Sequence, residues 1–248
     1  MPLSLTRTVS FLLLLTVLGT FSRAEDKLVP GSQVAREVTI TPTGKKVSVR
    51  YWQFVPADYD GRKKFPLMLF LHGSGERGHN LELVKKWGPP RIVMRRQDFP
   101  FVLISPQCPE DTRWNVDELY HLMDHVSGYL MIDQQRMYVT GLSMGGTGSW
   151  HMMDRYPELF AAGIPICGNG KSDSAKNLVN IPIWAFHGGA DNPSTSQLMI
   201  HQIEKAGGKN ARLTIYPGIG HNSWSRTYAN EGIYQWLLSH KSDEDGKE

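Results

Sequence analysis

Ser143 stands among glycines in the stretch "YVTGLSMGG", Tyr138 to Gly146. A serine hydroxyl is a weak nucleophile until a base takes its proton, and the base in turn needs an acid to fix its tautomer. Gly141-Leu142-Ser143-Met144-Gly145 fits G-x-S-x-G. It ends an apolar, β-branched run and opens a helical pattern, the setting in which such a turn presents serine at its apex. Side chains at the two flanking positions would collide with so tight a backbone. Taken alone, the same residues would also suit a plain surface turn.

Nine histidines compete for the role of base. His221, in "YPGIGHNSW", directly follows the last strand-like run. His121, His125, His151 and His201 lie inside helical patterns and read as partly exposed helix residues. His72 and His187 end strands and suit local hydrogen bonds that shape loops, and His240 is near the C-terminus. For the acid, Asp191 in "FHGGADNPS" follows the strand before the one that leads to His221. By itself it reads equally as a turn residue, since Gly-Ala-Asp-Asn-Pro favours turns. Ser143, Asp191 and His221 nevertheless occur in that chain order, each just beyond a strand, and this order sets one triad arrangement apart from the two other common ones.

A developing oxyanion needs donors already in place. The Met144 N–H, at the start of the helix after Ser143, is one, aided by the helix dipole. The loop "LHGSGERG" supplies the other, assigned to the Ser74 N–H with Gly75 as the alternative. No G-K-[ST] follows that loop and its spacing does not fit a dinucleotide fingerprint, so no phosphate-bearing cofactor is expected. No His, Asp, Glu or Cys grouping has metal-ligand spacing, so no metal is expected either.

These groups need a frame. "REVTI" and "VSVRYWQFVP" read as strands joined by "TPTGKK". "FPLMLFLHG", "FPFVLISPQ", "QRMYVTG", "FAAGIPICG", "IPIWAFHG" and "ARLTIYPG" are apolar bursts ended by Gly or Pro, as in parallel strands buried on both faces. "VDELYHLMDHVSGYL", "MGGTGSWHMMDRY", "TSQLMIHQIEKAGG" and "EGIYQWLLSH" carry helical spacing between or after them. Alternation with short links predicts an α/β fold: a mostly parallel sheet of about eight strands with helices on both faces. Functional groups in such sheets gather at the carboxyl ends of the strands.

From about Arg36 to Ser239 the chain resembles the α/β-hydrolases, on "LFLHGSGERG", "ISPQCPEDTRW", "DQQRMYVTGLSMGGTGSW", "PICGNG", "IPIWAFHGGADNPS" and "YPGIGHNSW". More narrowly, it resembles small exported carboxylesterases and predicted peptidases near the phospholipase/carboxylesterase family and the prolyl-oligopeptidase catalytic domain, a group that overlaps feruloyl and polyester depolymerase-type esterases. The resemblance implies Ser143 as nucleophile, Asp191 as acid and His221 as base. It implies a small-molecule or oligosaccharide ester substrate, cleaved through an acyl-enzyme. Two alternatives remain at this point: a serine peptidase of prolyl-oligopeptidase type acting on short peptides, and a non-catalytic polysaccharide-binding protein on the same scaffold. The family's strand order sets the strands ending at Cys108 and Cys167 three positions apart, roughly 14 Å at strand spacing. Disulfides want Cα atoms within about 7 Å, so two buried thiols are expected. The insert "GNGKSDSAKNLVN" is too short for a helical cap, which implies no lid domain. Trp114, Trp224 and Arg77, on loops at the same edge, are candidate substrate contacts, with packing under a loop as the other reading of the tryptophans. Arg113 is similarly placed. Lys85, Lys86, Arg91, Arg95 and Arg96 read as a solvated basic helix face.

The 248 residues suit one domain, expected over 25–240. Residues 1–24 carry Arg7, the apolar run Phe11–Leu18 and Ser22-Arg23-Ala24, which predict a signal peptide cleaved before Glu25 and a secreted or periplasmic product. The run is well short of the roughly 20 residues that span a bilayer, so no membrane association is expected after cleavage. The net charge is +3, or +1 without Arg7 and Arg23, and offers nothing for nucleic acid. Residues 241–248, "KSDEDGKE", read as a frayed charged tail. The oligomeric state is left open.

Overall fold

The seven residues of β3, Phe65–Leu71, are all buried. Their side chains alternate between two cores: Leu67, Leu69 and Leu71 pack into one, Met68 and Phe70 into the other. An unbroken apolar run therefore lies in the middle of a sheet covered on both faces. A computed structural model describes residues 28–242. The expected signal peptide, 1–24, lies outside the described residues, as does most of the expected tail. Ser242, assigned to that tail, donates its N–H to the Gln135 carbonyl at 2.9 Å, so backbone pairing holds the chain in place up to there.

Eight strands form one sheet in the order β1-β2-β4-β3-β5-β6-β7-β8. They are β1 (Gln33–Ile40), β2 (Val47–Phe54), β3, β4 (Val102–Pro106), β5 (Ile132–Leu142), β6 (Ala162–Ile166), β7 (Ile183–Gly188) and β8 (Ala211–Tyr216). β1 pairs antiparallel with β2, and β2 with β4. All other neighbours are parallel. The strands expected to end near Cys108 and Cys167, β4 and β6, are three positions apart, and both cysteines are free, buried thiols.

The helices divide between the faces. α2 (Val116–Ser127), α3 (Met144–Arg155) and α4 (Ser194–Lys205) send Leu122, Trp150 and Ile203 into the core that holds Leu69. α5 (Trp224–Tyr228) and α6 (Glu231–Leu238) send Tyr228, Ile233 and Leu237 into the core that holds Phe70. Asn115 caps α2 by accepting from the N–H groups of Asp117 and Glu118, as Asn at that position should. Between β6 and β7 the chain forms a 3-10 segment, Ser172–Leu178, whose Ala175 and Leu178 are tucked into the core.

The basic stretch differs from expectation. Leu81–Lys86 is a 3-10 segment, and the short α1 (Gly88–Ile92) starts afresh after Trp87 because Pro89 and Pro90 cannot continue a helix begun upstream. The charges therefore do not share one helix face. Lys85 lies 3.8 Å from the centre of the Trp52 ring and pairs with Glu82 at 2.7 Å. Arg96 grips Glu231 through Nη1 at 2.7 and 2.8 Å. The five-residue α5 is too short to show a helical period in the sequence.

Candidate active site

β5 ends at Leu142 and α3 begins at Met144, so one residue makes the whole turn. Ser143 makes it at φ 54°, ψ −115°, a region that an L-residue enters at a cost of about 1–3 kcal/mol. The Ser143 N–H donates to the Ile166 carbonyl at 2.9 Å, which ties the turn to β6. The flanking glycines are required by backbone contact. A Cβ on Gly145 would lie 1.9 Å from the Leu71 oxygen, and one on Gly141 would lie 2.4 Å from the Gly145 oxygen. The half-buried hydroxyl of Ser143 is left at the carboxyl edge of the sheet.

The loops after β7 and β8 are zipped together by backbone bonds. Gly189 N–H donates to Tyr216 O at 2.8 Å, and Ala190 N–H to Ile219 O at 2.8 Å. This pairing brings Asp191 and His221 together. Asp191 Oδ2 is 2.7 Å from His221 Nδ1, and His221 Nε2 is 2.9 Å from Ser143 Oγ. A carboxylate only accepts, so His221 carries its proton on Nδ1, and its bare Nε2 accepts from the serine. Burial opposes ionisation of Asp191, but its hydrogen bond from His221, the Asn192 N–H and both nearby imidazoles outweigh it and hold the carboxyl below its usual range. His221 itself stays open to solvent, its ring perpendicular to that of Trp224 with centroids 5.3 Å apart.

Met144 is the first residue of α3, and Ser74 the first of a 3-10 turn, Ser74–Glu76. Neither N–H has an acceptor within its own helix. The Ser74 loop is braced from beneath. His72 donates from Nδ1 to Gly73 O at 2.7 Å and accepts the Cys108 N–H on Nε2 at 3.0 Å. Burial lowers the His72 pKa to about 4, so the ring is neutral. Arg77 spans two loops, donating from Nε to Ser74 O and from Nη1 to Thr112 O, both at 3.0 Å.

Ser143 opens onto a cleft of 430 Å³ whose wall includes Ser74, Met144, Arg77, Thr147, Asn169 and His221. Arg77 and Arg113 also line this cleft. The tryptophans are not on this wall. Trp114 donates its indole N–H to His72 O at 3.2 Å and packs edge-on to the His72 ring at 4.7 Å. It faces a separate groove of 270 Å³. Trp224 lies edge-on between His221 and Trp87. Both tryptophans are partly buried, each edge-on against a histidine ring. Sequence reading missed Thr147 and Asn169, for which no local pattern gives a signal. It also missed Cys167, which has a positive φ of 49° and whose Sγ approaches Ser223 Oγ at 2.9 Å and His221 O at 3.2 Å. Its ligand atom lies within 4.8 Å of those of Asp191 and His221, a grouping of metal-ligand types that residue spacing did not reveal. The hydrogen bonds described already engage all three side chains.

Residues 112–233 match the Dienelactone hydrolase family. The solved structure of a thermostable esterase is 31% identical, with a TM-score of 0.73 over 84% of this chain and 63% of its own. The chain has the α/β-hydrolase fold. Among curated relatives, feruloyl esterase B of Neurospora crassa is 24% identical, over 89% of this chain and 79% of its own. The bifunctional acetylxylan esterase/xylanase XynS20E of Neocallimastix patriciarum is 26% identical over 51% of this chain. The chain spans only 19% of that bifunctional protein and less than two thirds of the thermostable esterase. Among the described residues, no helix is long and apolar enough to cross a membrane.

Proposed function

We propose that the protein is a serine hydrolase of carboxylic esters, with Ser143 as nucleophile, His221 as base and Asp191 as the acid that orients it. One observation carries the reading: a single imidazole bridges the Ser143 hydroxyl at 2.9 Å and the Asp191 carboxylate at 2.7 Å. Ser143 Oγ attacks the ester carbonyl carbon while His221 Nε2 takes its proton. The Met144 and Ser74 N–H groups receive the oxyanion. The imidazolium, stabilised by Asp191, gives its proton to the departing alkoxide and leaves an acyl-serine. Water, deprotonated by the same nitrogen, then releases the acid.

An acyl ester of a hydroxyl-rich alcohol suits the site best. Thr147 and Asn169 on the cleft wall offer hydrogen bonds to hydroxyls, and one relative is named an acetylxylan esterase. Export of the product is part of the same reading and is supported by the apolar run Phe11–Leu18 behind Arg7.

Replacing Ser143 by Ala should lower kcat on 4-nitrophenyl acetate by about 10⁴-fold or more with the fold intact. Wild-type turnover in that variant would defeat the reading. A matched 4-nitroanilide separates esterase from peptidase: turnover of the ester alone supports the proposal, and comparable turnover of the amide contradicts it.

A further inference from the structure

Asp191 Oδ2 has a second imidazole on it. His187 Nε2 lies 3.2 Å from the oxygen that His221 Nδ1 also approaches. His187 is the penultimate residue of β7 and is 2% exposed. Its other nitrogen, Nδ1, sits 2.9 Å from Ser196 Oγ on α4, and Ser196 is itself 1% exposed. The sequence suggested only that His187 shapes its own loop.

The hydrogen directions follow from what each group can do. The ionised Asp191 carboxylate can only accept, so His187 must carry a proton on Nε2. In the neutral ring Nδ1 is then a bare acceptor, and the Ser196 hydroxyl must donate to it. The other acceptor near Ser196, Gly168 O, is farther away at 3.5 Å. Burial lowers the pKa of His187, consistent with a neutral ring. One directed chain results: Ser196 to His187 to Asp191 from one side, and Ser143 to His221 to Asp191 from the other. The two arms meet on a single oxygen.

We propose that His187 is a positioning residue for the triad, holding the Asp191 carboxylate in place and drawing off part of its charge, so that it sets the basicity of His221. The inference rests on the esterase reading above. A carboxylate that already accepts from His187 attracts the His221 imidazolium less than a free one does. Losing the His187 donor therefore raises the pKa of His221 and loosens the carboxylate at once. The other titratable group beside this pair is the Cys167 thiol, within 4.8 Å of Asp191 and His221. On α4 the contact is Ser196, which is uncharged.

The test is the pH profile of kcat/KM on a neutral ester for the wild type, His187→Leu and His187→Gln. The Gln side chain can donate to Asp191 from its terminal amide, much as Nε2 does. His187→Leu should move the acid limb up by about half a pH unit or more and lower the plateau about tenfold. His187→Gln should bring the limb back to its wild-type position. A lower plateau with an unmoved limb in His187→Leu, or no rescue by Gln, overturns the proposal and leaves His187 a packing residue. If His187→Leu does not fold, ring ¹⁵N NMR of the wild-type protein decides. A neutral ring protonated on Nε2 from about pH 6 to 8 supports the chain, and protonation on Nδ1 refutes it. Failure of the esterase reading would appear elsewhere, as retained turnover in Ser143→Ala, and would not alter the NMR result.

Discussion

Gly145 and Leu71 are in contact with no space between them: a Cβ on Gly145 would stand 1.9 Å from the Leu71 carbonyl oxygen. Leu71 ends β3, and Gly145 is in the first turn of α3. The first central strand and the helix after Ser143 therefore meet backbone to backbone. This contact sets how near the Ser74 loop, which follows Leu71, comes to Ser143.

Gly145→Ala is predicted to destabilise the protein by at least about 3 kcal/mol, because backbone must shift on both elements to admit one methyl group. Urea unfolding followed by circular dichroism measures it. A midpoint equal to wild type would mean that β3 and α3 are not locked in this way.

Ser143→Gly should act in the opposite sense. The serine is held at φ 54°, ψ −115°, and glycine adopts such a conformation without strain. The variant should gain about 1 kcal/mol in stability while losing ester turnover. A less stable variant would show that the turn is not strained.

The buried histidines make the fold acid-sensitive. His72 has its pKa lowered by burial to about 4, so it stays neutral in the fold while the unfolded chain takes up a proton below about pH 6.5. Its contribution is complete above pH 6.5 and is lost progressively down to about pH 4. Between pH 7.5 and 5 the loss attributable to His72 is about 2 kcal/mol. Glu76 and Glu118, both raised by burial, work against it at the acid end. Comparison with His72→Gln isolates the effect: the variant should lose that much less stability over the same interval. Equal losses would remove His72 as the cause.

Arg77 bridges the Ser74 and Thr112 carbonyls. Arg77→Ala should lower kcat about tenfold through a loosened Ser74 loop, with a smaller change in KM. Arg77→Lys should not restore it, since an ammonium lacks the planar fork that reaches both carbonyls. A rise confined to KM would make Arg77 a substrate contact instead.

Strand and helix identities were legible in the sequence because they are written in local periodicity. Each of the six apolar bursts ended by Gly or Pro became a strand with at least one parallel neighbour, and the four long helical patterns became α2, α3, α4 and α6. The turn at Ser143 was legible for a steric reason that acts within five residues. The short α1 and α5 were not, because one turn of helix shows no period. The roles of Trp114 and Trp224 were open in the sequence, since an indole at a loop edge fits a ligand or the back of a histidine equally well until the neighbouring strands are placed.

By itself, then, the sequence determined which segments are strands, where the chain must bend too tightly for a side chain, and the order of the reactive residues along it. Only the tertiary structure decided that His221 reaches Ser143 across 78 residues and Asp191 across 30, and that His187 shares the same carboxylate oxygen. The physical reason is range. Backbone sterics and side-chain period act over a few residues, whereas a hydrogen bond between strand ends depends on sheet order, register and the pairing of the loops after β7 and β8, which many distant contacts set together.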